Sequence, residues 1–188
     1  MTIVTFSEFD NAMMELALSE ARAAANLGDV PVGAVLICEG QVIAQAKNES
    51  HSRQDPTAHA EMLAIRQAAE RLGTWHLDNC SLYVSLEPCP MCAGAILNSH
   101  IGRVVFASRQ AKTGAVVSAC QLFQLDLGPK PQIEEGLLAE DSSRLLQDFF
   151  QEQRLRKKQL GGPAARRRAA LQAWQERRWQ STDPEAKV

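Results

Sequence analysis

A chain of 188 residues is long enough for one domain with a sizeable core plus an appendage, and its 45% hydrophobic and 22% charged residues are ordinary globular values. No apolar run nears the roughly 20 residues that span a bilayer, and residues 1–10 lack the basic-then-apolar order of a secretory signal, so neither a membrane-spanning nor a secreted chain is expected. The net charge of −2 conceals an asymmetry: residues 151–188 carry ten Lys/Arg against four Asp/Glu, and the remainder is acidic by eight charges.

Ser7 opens a helix through about Asn26, with Met13, Leu16, Ala17, Ala21 and Ala24 forming its apolar face. Gly28-Asp29 stops it. Val32 to Cys38 is apolar and rich in β-branched residues, a buried strand; Glu39-Gly40 makes the turn, and Gln41 to Lys47 returns as the second arm of a hairpin. Residues 48–54 read as polar loop. Asp55-Pro56 has the form of a helix start, Asp as N-cap and Pro at the first helical position, which predicts a helix to Leu72 closed by Gly73. Ser81 to Ser85 is a third strand, Cys89 to Asn98 a short helix with Pro90 in its first turn, and Arg103 to Ala107 a fourth strand. A loop from Arg109 to Ala115 and a weakly patterned stretch to Gly136 follow. Glu140 opens a helix to about Leu160, which Gly161-Gly162-Pro163 breaks. Ala164 to Trp179 then reads as a separate basic helix. The order is α/β, one sheet covered on both faces, with residues 1–160 as the main domain and 161–188 as a basic extension, helical or disordered.

Two short motifs carry the chemistry. His59-Ala60-Glu61 and Pro88-Cys89-Pro90-Met91-Cys92 lie about thirty residues apart, each at a helix start. One imidazole and two thiolates hold zinc on three sides and leave the fourth position for water, the arrangement of a catalytic rather than a structural site. Cys89 and Cys92, three apart, share a helix face. Glu61 is placed to move that water's protons without being a ligand. A redox reading of the C-x-x-C needs a thioredoxin-like setting that this element order does not provide. Five cysteines, two of them in that motif, argue for metal ligation in a reducing compartment, and hence a cytoplasmic location. Cys38, Cys80 and Cys120 read as inert thiols, and His51 and His76 as surface or loop histidines. Trp174 and Trp179 lie among arginines, either to stack on RNA bases or to form the apolar stripe of a packed helix.

The combined H-x-E…P-C-x-x-C pattern is the signature of the zinc nucleobase deaminases, of which the bacterial tRNA adenosine deaminase is a known example. The resemblance extends to Pro31-Val32-Gly33-Ala34-Val35, Asn48, Asp55 to Glu61, Leu82-Tyr83-Val84, Leu86-Glu87-Pro88-Cys89, Met91 to Ala95, Gly102 to Phe106 and Ala111-Lys112-Thr113-Gly114. Over about residues 8–155 the chain resembles the bacterial tRNA-specific adenosine deaminase family. That resemblance implies a three-layer α/β/α cytidine-deaminase-like fold with a mixed sheet of about five strands. It also implies one Zn2+ per subunit on His59, Cys89 and Cys92, with Glu61 as proton shuttle. The implied reaction is hydrolytic conversion of the wobble adenosine of a tRNA anticodon stem-loop to inosine, by a homodimer. Asn48 and Val32 would contact the flipped purine, and Arg109, Gln110 and Lys112 the anticodon loop. Gln110 stands where the family usually has Asp, which leaves the choice of RNA over DNA open. Ala107-Ser108, His100 and the stretch Phe123–Gln132 also depart from the family pattern, all outside the metal motif. Two other readings remain: a guanine or other free-base or nucleoside deaminase, and a non-catalytic, zinc-stabilised RNA-binding module.

Overall fold

The computed structural model describes residues 5–159, 168–173 and 175–176. It divides into two compact units, Met1–Gln147 and Asp148–Val188. The first unit is built on one five-stranded sheet. Its strands are β1 (Gly33–Cys38), β2 (Gln41–Lys47), β3 (Cys80–Leu86), β4 (Arg103–Ser108) and β5 (Gln132–Glu135), in the spatial order β2-β1-β3-β4-β5. β1 is antiparallel to β2 and β3, whereas β3, β4 and β5 run parallel. The helices are α1 (Glu8–Asn26), α2 (Ser50–Arg53), α3 (Ala60–Leu72), α4 (Pro90–Asn98) and α5 (Ala139–Gln159).

The alternation of the strands sorts the core into two faces. Val35, Ile37, Tyr83 and Val105 point to one side and pack on Met13, Met14 and Ala17 of α1. Leu36, Leu82, Val84, Val104 and Phe106 point to the other and pack on Leu63, Ala64, Ile96 and Leu97 of α3 and α4. Helix, sheet and helices thus form three layers, as the resemblance implied. Gly33 permits the first contact: a Cβ there would lie 2.0 Å from the Ala17 carbonyl oxygen, so no other residue lets α1 approach β1 so closely.

Helix α1 is fixed by a charged cluster. Ser7 caps it reciprocally: its hydroxyl accepts from the Asp10 N–H at 3.0 Å, and its own backbone N–H donates to Asp10 Oδ2 at 2.9 Å. Asp10 Oδ1 accepts from the Tyr83 hydroxyl at 2.6 Å and Arg103 Nη1 at 2.8 Å, and the Arg103 fork also grips Glu134. Burial alone would raise the Asp10 carboxyl, but the hydrogen bonds from Ser7, Tyr83 and Arg103 more than reverse this and hold it well below the ordinary range. A carboxyl depressed in the fold adds stability that is complete above its unfolded value, about pH 4, and is lost as the pH falls further. Asp10→Asn is therefore expected to cost about 2–3 kcal/mol at pH 7, a deficit that shrinks on acidification. Urea unfolding at pH 7 and pH 3 checks both parts.

Two local expectations are corrected. Asp55-Pro56 does not start a helix: Asp55 Oδ1 accepts from the Thr57 N–H at 2.8 Å and its hydroxyl at 2.7 Å, closing an Asx turn, and α3 begins only at Ala60. The polar loop 48–54 contains the single turn α2, whose first N–H groups at His51 and Ser52 donate to the buried carboxylate of Asp29. No described helix is long and apolar enough to cross a membrane. In the second unit, residues 168–173 and 175–176 are helical; Trp174 and Trp179 lie outside the described residues.

Candidate active site

The late start of α3 sets the geometry of the site. Two residues apart inside a helix, His59 and Glu61 would point about 200° apart. Instead His59 is the extended N-cap residue, with φ −73° and ψ 152°, and only Glu61 is helical. Cys89 is likewise the extended N-cap of α4, Pro90 is its first helical residue and Cys92 lies in its first turn. Neither N-cap side chain caps its own helix, which leaves the imidazole and the thiol free to ligate.

The three donors form a nearly equilateral triangle. His59 Nδ1 lies 3.6 Å from Cys89 Sγ and 3.5 Å from Cys92 Sγ, and the two sulfurs are 3.6 Å apart. Tetrahedral zinc with bonds of about 2.3 Å to sulfur and about 2.0–2.1 Å to nitrogen needs S···S near 3.8 Å and S···N near 3.55 Å. The triangle matches within about 0.2 Å, so one Zn2+ fits on His59, Cys89 and Cys92. The protons are held unequally when no cation is bound. The Cys92 hydrogen bond, aided by His59, lowers the Cys89 thiol to about 4. The bond to Cys89, burial and the Glu61 carboxyl push Cys92 far up. The hydrogen bond to Cys89 raises His59.

Glu61 is only 3% exposed, and burial raises its carboxyl above the ordinary glutamate range. Its side chain lines a cavity of about 250 Å³ together with His59, Cys89, Val32, Asn48 and Gln110. Asn48 is held in place: its amide donates to the Val30 carbonyl at 3.2 Å and its Oδ1 accepts from the Ser50 hydroxyl at 2.8 Å. One N–H and one lone pair remain for a ligand. Arg109 and Lys112 are not brought into the cavity. Arg109 makes a two-pronged pair with Glu135 at 2.7 and 2.5 Å, and Lys112 is exposed on the same loop.

Sequence reasoning assigns no role to Glu87, which enters only within the family stretch Leu86-Glu87-Pro88-Cys89. Buried at the end of β3, its Oε1 accepts from the N–H groups of Val116, Val117 and Ser118 at 2.8–3.1 Å. Its Oε2 accepts from the Gln110 N–H at 2.9 Å and from the Ser118 hydroxyl. Burial opposes ionisation, but these donors outweigh it and the carboxyl is lowered. One carboxylate therefore pins the loop that carries Gln110 to the strand that delivers Cys89. Gly114 allows this, since a Cβ there would sit 2.2 Å from Glu87 Oε2. Gln in place of Glu87 would turn an amide N–H against N–H donors. Glu87→Gln is expected to destabilise the fold by about 3 kcal/mol while keeping zinc, as urea unfolding and metal analysis of one sample would show.

Residues 7–108 match the family model described as the cytidine and deoxycytidylate deaminase zinc-binding region. A tRNA-specific adenosine deaminase from Haemophilus influenzae is 46% identical over 154 residues, covering 81% of this chain and 89% of that protein. A solved structure from work on A-to-I editing by tRNA:A34 deaminases at the wobble position superposes with TM-score 0.70 at 43% identity, covering 72% of this chain and 99% of the other. A guanine deaminase from Nitrosomonas europaea superposes with TM-score 0.62 at 27% identity, covering 78% of this chain and 86% of the other. On its metal triangle, its sheet order and these likenesses, the chain belongs to the cytidine and deoxycytidylate deaminase family, among the tRNA-specific adenosine deaminases.

Proposed function

We propose that this protein deaminates adenosine to inosine at the wobble position of tRNA, with Glu61 as its proton shuttle and residues 1–160 as the catalytic domain. The observation that carries the reading is the meeting of His59, Cys89 and Cys92 with the buried carboxyl of Glu61 at the wall of one cavity. His59, Cys89 and Cys92 would hold zinc, which when bound supplies Lewis-acid activation of water at neutral pH. Glu61 takes a proton from the attacking water and delivers it to a ring nitrogen of the purine, making the adjacent ring carbon more electrophilic. A second transfer through Glu61 places a proton on the departing amine, which leaves as ammonia. Burial of that carboxyl keeps its proton affinity within reach of both roles.

Asn48 offers its spare donor and acceptor to the edge of the base, and Val32 supplies an apolar wall. An adenine must leave its stack to enter so small a cavity, which suits an unpaired anticodon loop better than a duplex. Arg109, Gln110 and Lys112 lie on the loop after β4, where they would meet the phosphates and sugars flanking that base. Gln110, uncharged, can both donate and accept toward a ribose hydroxyl. Residues 161–188 form a basic extension in this reading. The functional unit is a homodimer, as expected from the resemblance, and the reduced zinc thiolates suit the cytoplasm.

Zinc-loaded protein incubated with an anticodon stem-loop, its DNA counterpart, adenosine, cytidine and guanine separates the alternatives. Inosine in the RNA stem-loop alone is the expected product pattern. Turnover of guanine without inosine would instead assign the site to free bases, and no turnover of any substrate would favour a binding module. Sedimentation of the same preparation tests the dimer.

A further inference from the structure

At the opposite end of β3 and β4 from the catalytic triangle, two short connections bring together a second set of metal-ligating side chains. His76 and Asp78 precede β3, and His100 precedes β4. His76 Nδ1 lies 3.6 Å from Asp78 Oδ2, and His100 Nδ1 lies 3.7 Å from Asp78 Oδ1. One ligating atom from each residue falls within 4.8 Å of the other two. Among the described residues, only this group and the catalytic triangle meet that condition.

The backbone beneath these side chains is firmly held. Between the two ligands on the first connection, Leu77 is 1% exposed and its N–H donates to the Ser99 carbonyl at 2.8 Å. That bond ties the two connections together one residue from each histidine. Gly102 packs so closely on the first connection that a Cβ there would lie 2.3 Å from the Asp78 carbonyl oxygen. His100 is the left-handed residue, φ +58°, that follows the end of α4: its N–H donates to the Leu97 carbonyl at 3.0 Å and the next N–H, of Ile101, to the Ile96 carbonyl at 3.3 Å. Trp75 covers the group: its ring stacks on His76 at 3.8 Å and meets His100 edge-on at 5.7 Å. The three rings thus lie against one another, while the His76 and Asp78 side chains remain 47% and 60% exposed and free to turn toward a ligand.

We infer that His76, Asp78 and His100 form a second metal site, for a divalent transition-metal ion, distinct from the catalytic zinc. Metal bonds of about 2.0–2.2 Å to nitrogen and oxygen place neighbouring donors about 3.0–3.5 Å apart. The two histidine–aspartate separations are 3.6 and 3.7 Å and the histidine–histidine one is within 4.8 Å, so rotation of the exposed Asp78 and half-exposed His76 side chains must draw the three donors in to that range. Two imidazole nitrogens with one carboxylate select Zn2+, Ni2+ or Cu2+ over Mg2+ and Ca2+, which prefer all-oxygen sites. Water completes the coordination on the open side. A bound ion would clip together the connections that lead into two adjacent central strands.

The test uses the full chain carrying one equivalent of zinc, dialysed against Ni2+, with both metals counted by mass spectrometry. One Ni2+ per chain is expected in addition to one retained Zn2+. His76→Ala and His100→Ala should each weaken Ni2+ binding at least tenfold, whereas His51→Ala, at the remaining histidine outside both sites, should not. Retained zinc in each variant shows that the fold survives the change. Bound Ni2+ should also quench part of the tryptophan emission, a part that Trp75→Phe removes. Absence of extra nickel, one-for-one replacement of zinc, or uptake that persists in both histidine variants would overturn the inference.

Discussion

Glu61→Gln is expected to retain one zinc per chain and lose turnover by about 10²- to 10⁴-fold, the range supplied by a positioned general acid–base. The substitution preserves side-chain volume and leaves His59, Cys89 and Cys92 untouched, so the metal triangle should persist. What it removes is the ability to accept a proton from water and release it to the purine. Stability should move the other way. Burial raises the Glu61 carboxyl, which means that its charged form opposes folding near neutrality. A neutral amide lifts that penalty, so metal-free Glu61→Gln is expected to melt at or above the wild-type temperature. Activity, zinc content and melting measured on one preparation separate these effects. Full activity in the variant would remove Glu61 from the reaction.

Cys92→Ala should have an effect of comparable size by a different route. It deletes one corner of the triangle and leaves two donors, too few to hold zinc on the catalytic side. Zinc content and deaminase activity are both expected to fall to background. The wild-type metal affinity carries a pH signature of the same residue. Cys89 is already a thiolate at neutral pH, but Cys92 and His59 are shifted upward and must shed their protons as the cation binds. Each proton displaced makes binding about tenfold tighter per pH unit. Apparent zinc affinity is thus expected to climb by at least tenfold between pH 6 and pH 7 and to weaken in acid. Competition with a chelator at several pH values measures the slope, and a flat profile would mean that no proton leaves on binding.

The large elements and the metal motif were legible because their information is local. Apolar periodicity marked α1, β1, β3 and β4, and the Glu39-Gly40 turn marked the β1–β2 hairpin. Two dispersed motifs pointed to one zinc site, and the structure brings His59, Cys89, Cys92 and Glu61 together. What escaped depends on partners distant in sequence. β5 gives no strand signal because Gln132-Ile133-Glu134-Glu135 has one apolar residue, Ile133, which packs on the core; its glutamates are answered by Arg103 and Arg109, 31 and 26 residues earlier. Glu87 carries no local signal of its role, because its five donors come from positions 23 to 31 residues downstream. The pair Asp55-Pro56 suits a helix start and an Asx turn alike. Thr57, which donates twice to Asp55, decides for the turn. The loop residues Arg109 and Lys112 illustrate a further limit. Family likeness assigns them a nucleic-acid role, but the free protein commits Arg109 to Glu135, and RNA would have to compete for it.

X-ray absorption at the zinc edge, on protein loaded with a single equivalent, tests the metal assignment most directly. Two sulfur neighbours at about 2.3 Å and two nitrogen or oxygen neighbours at about 2.0–2.1 Å are expected, one of the latter exchangeable with solvent. A shell of four protein ligands, or one containing no sulfur, would contradict the account.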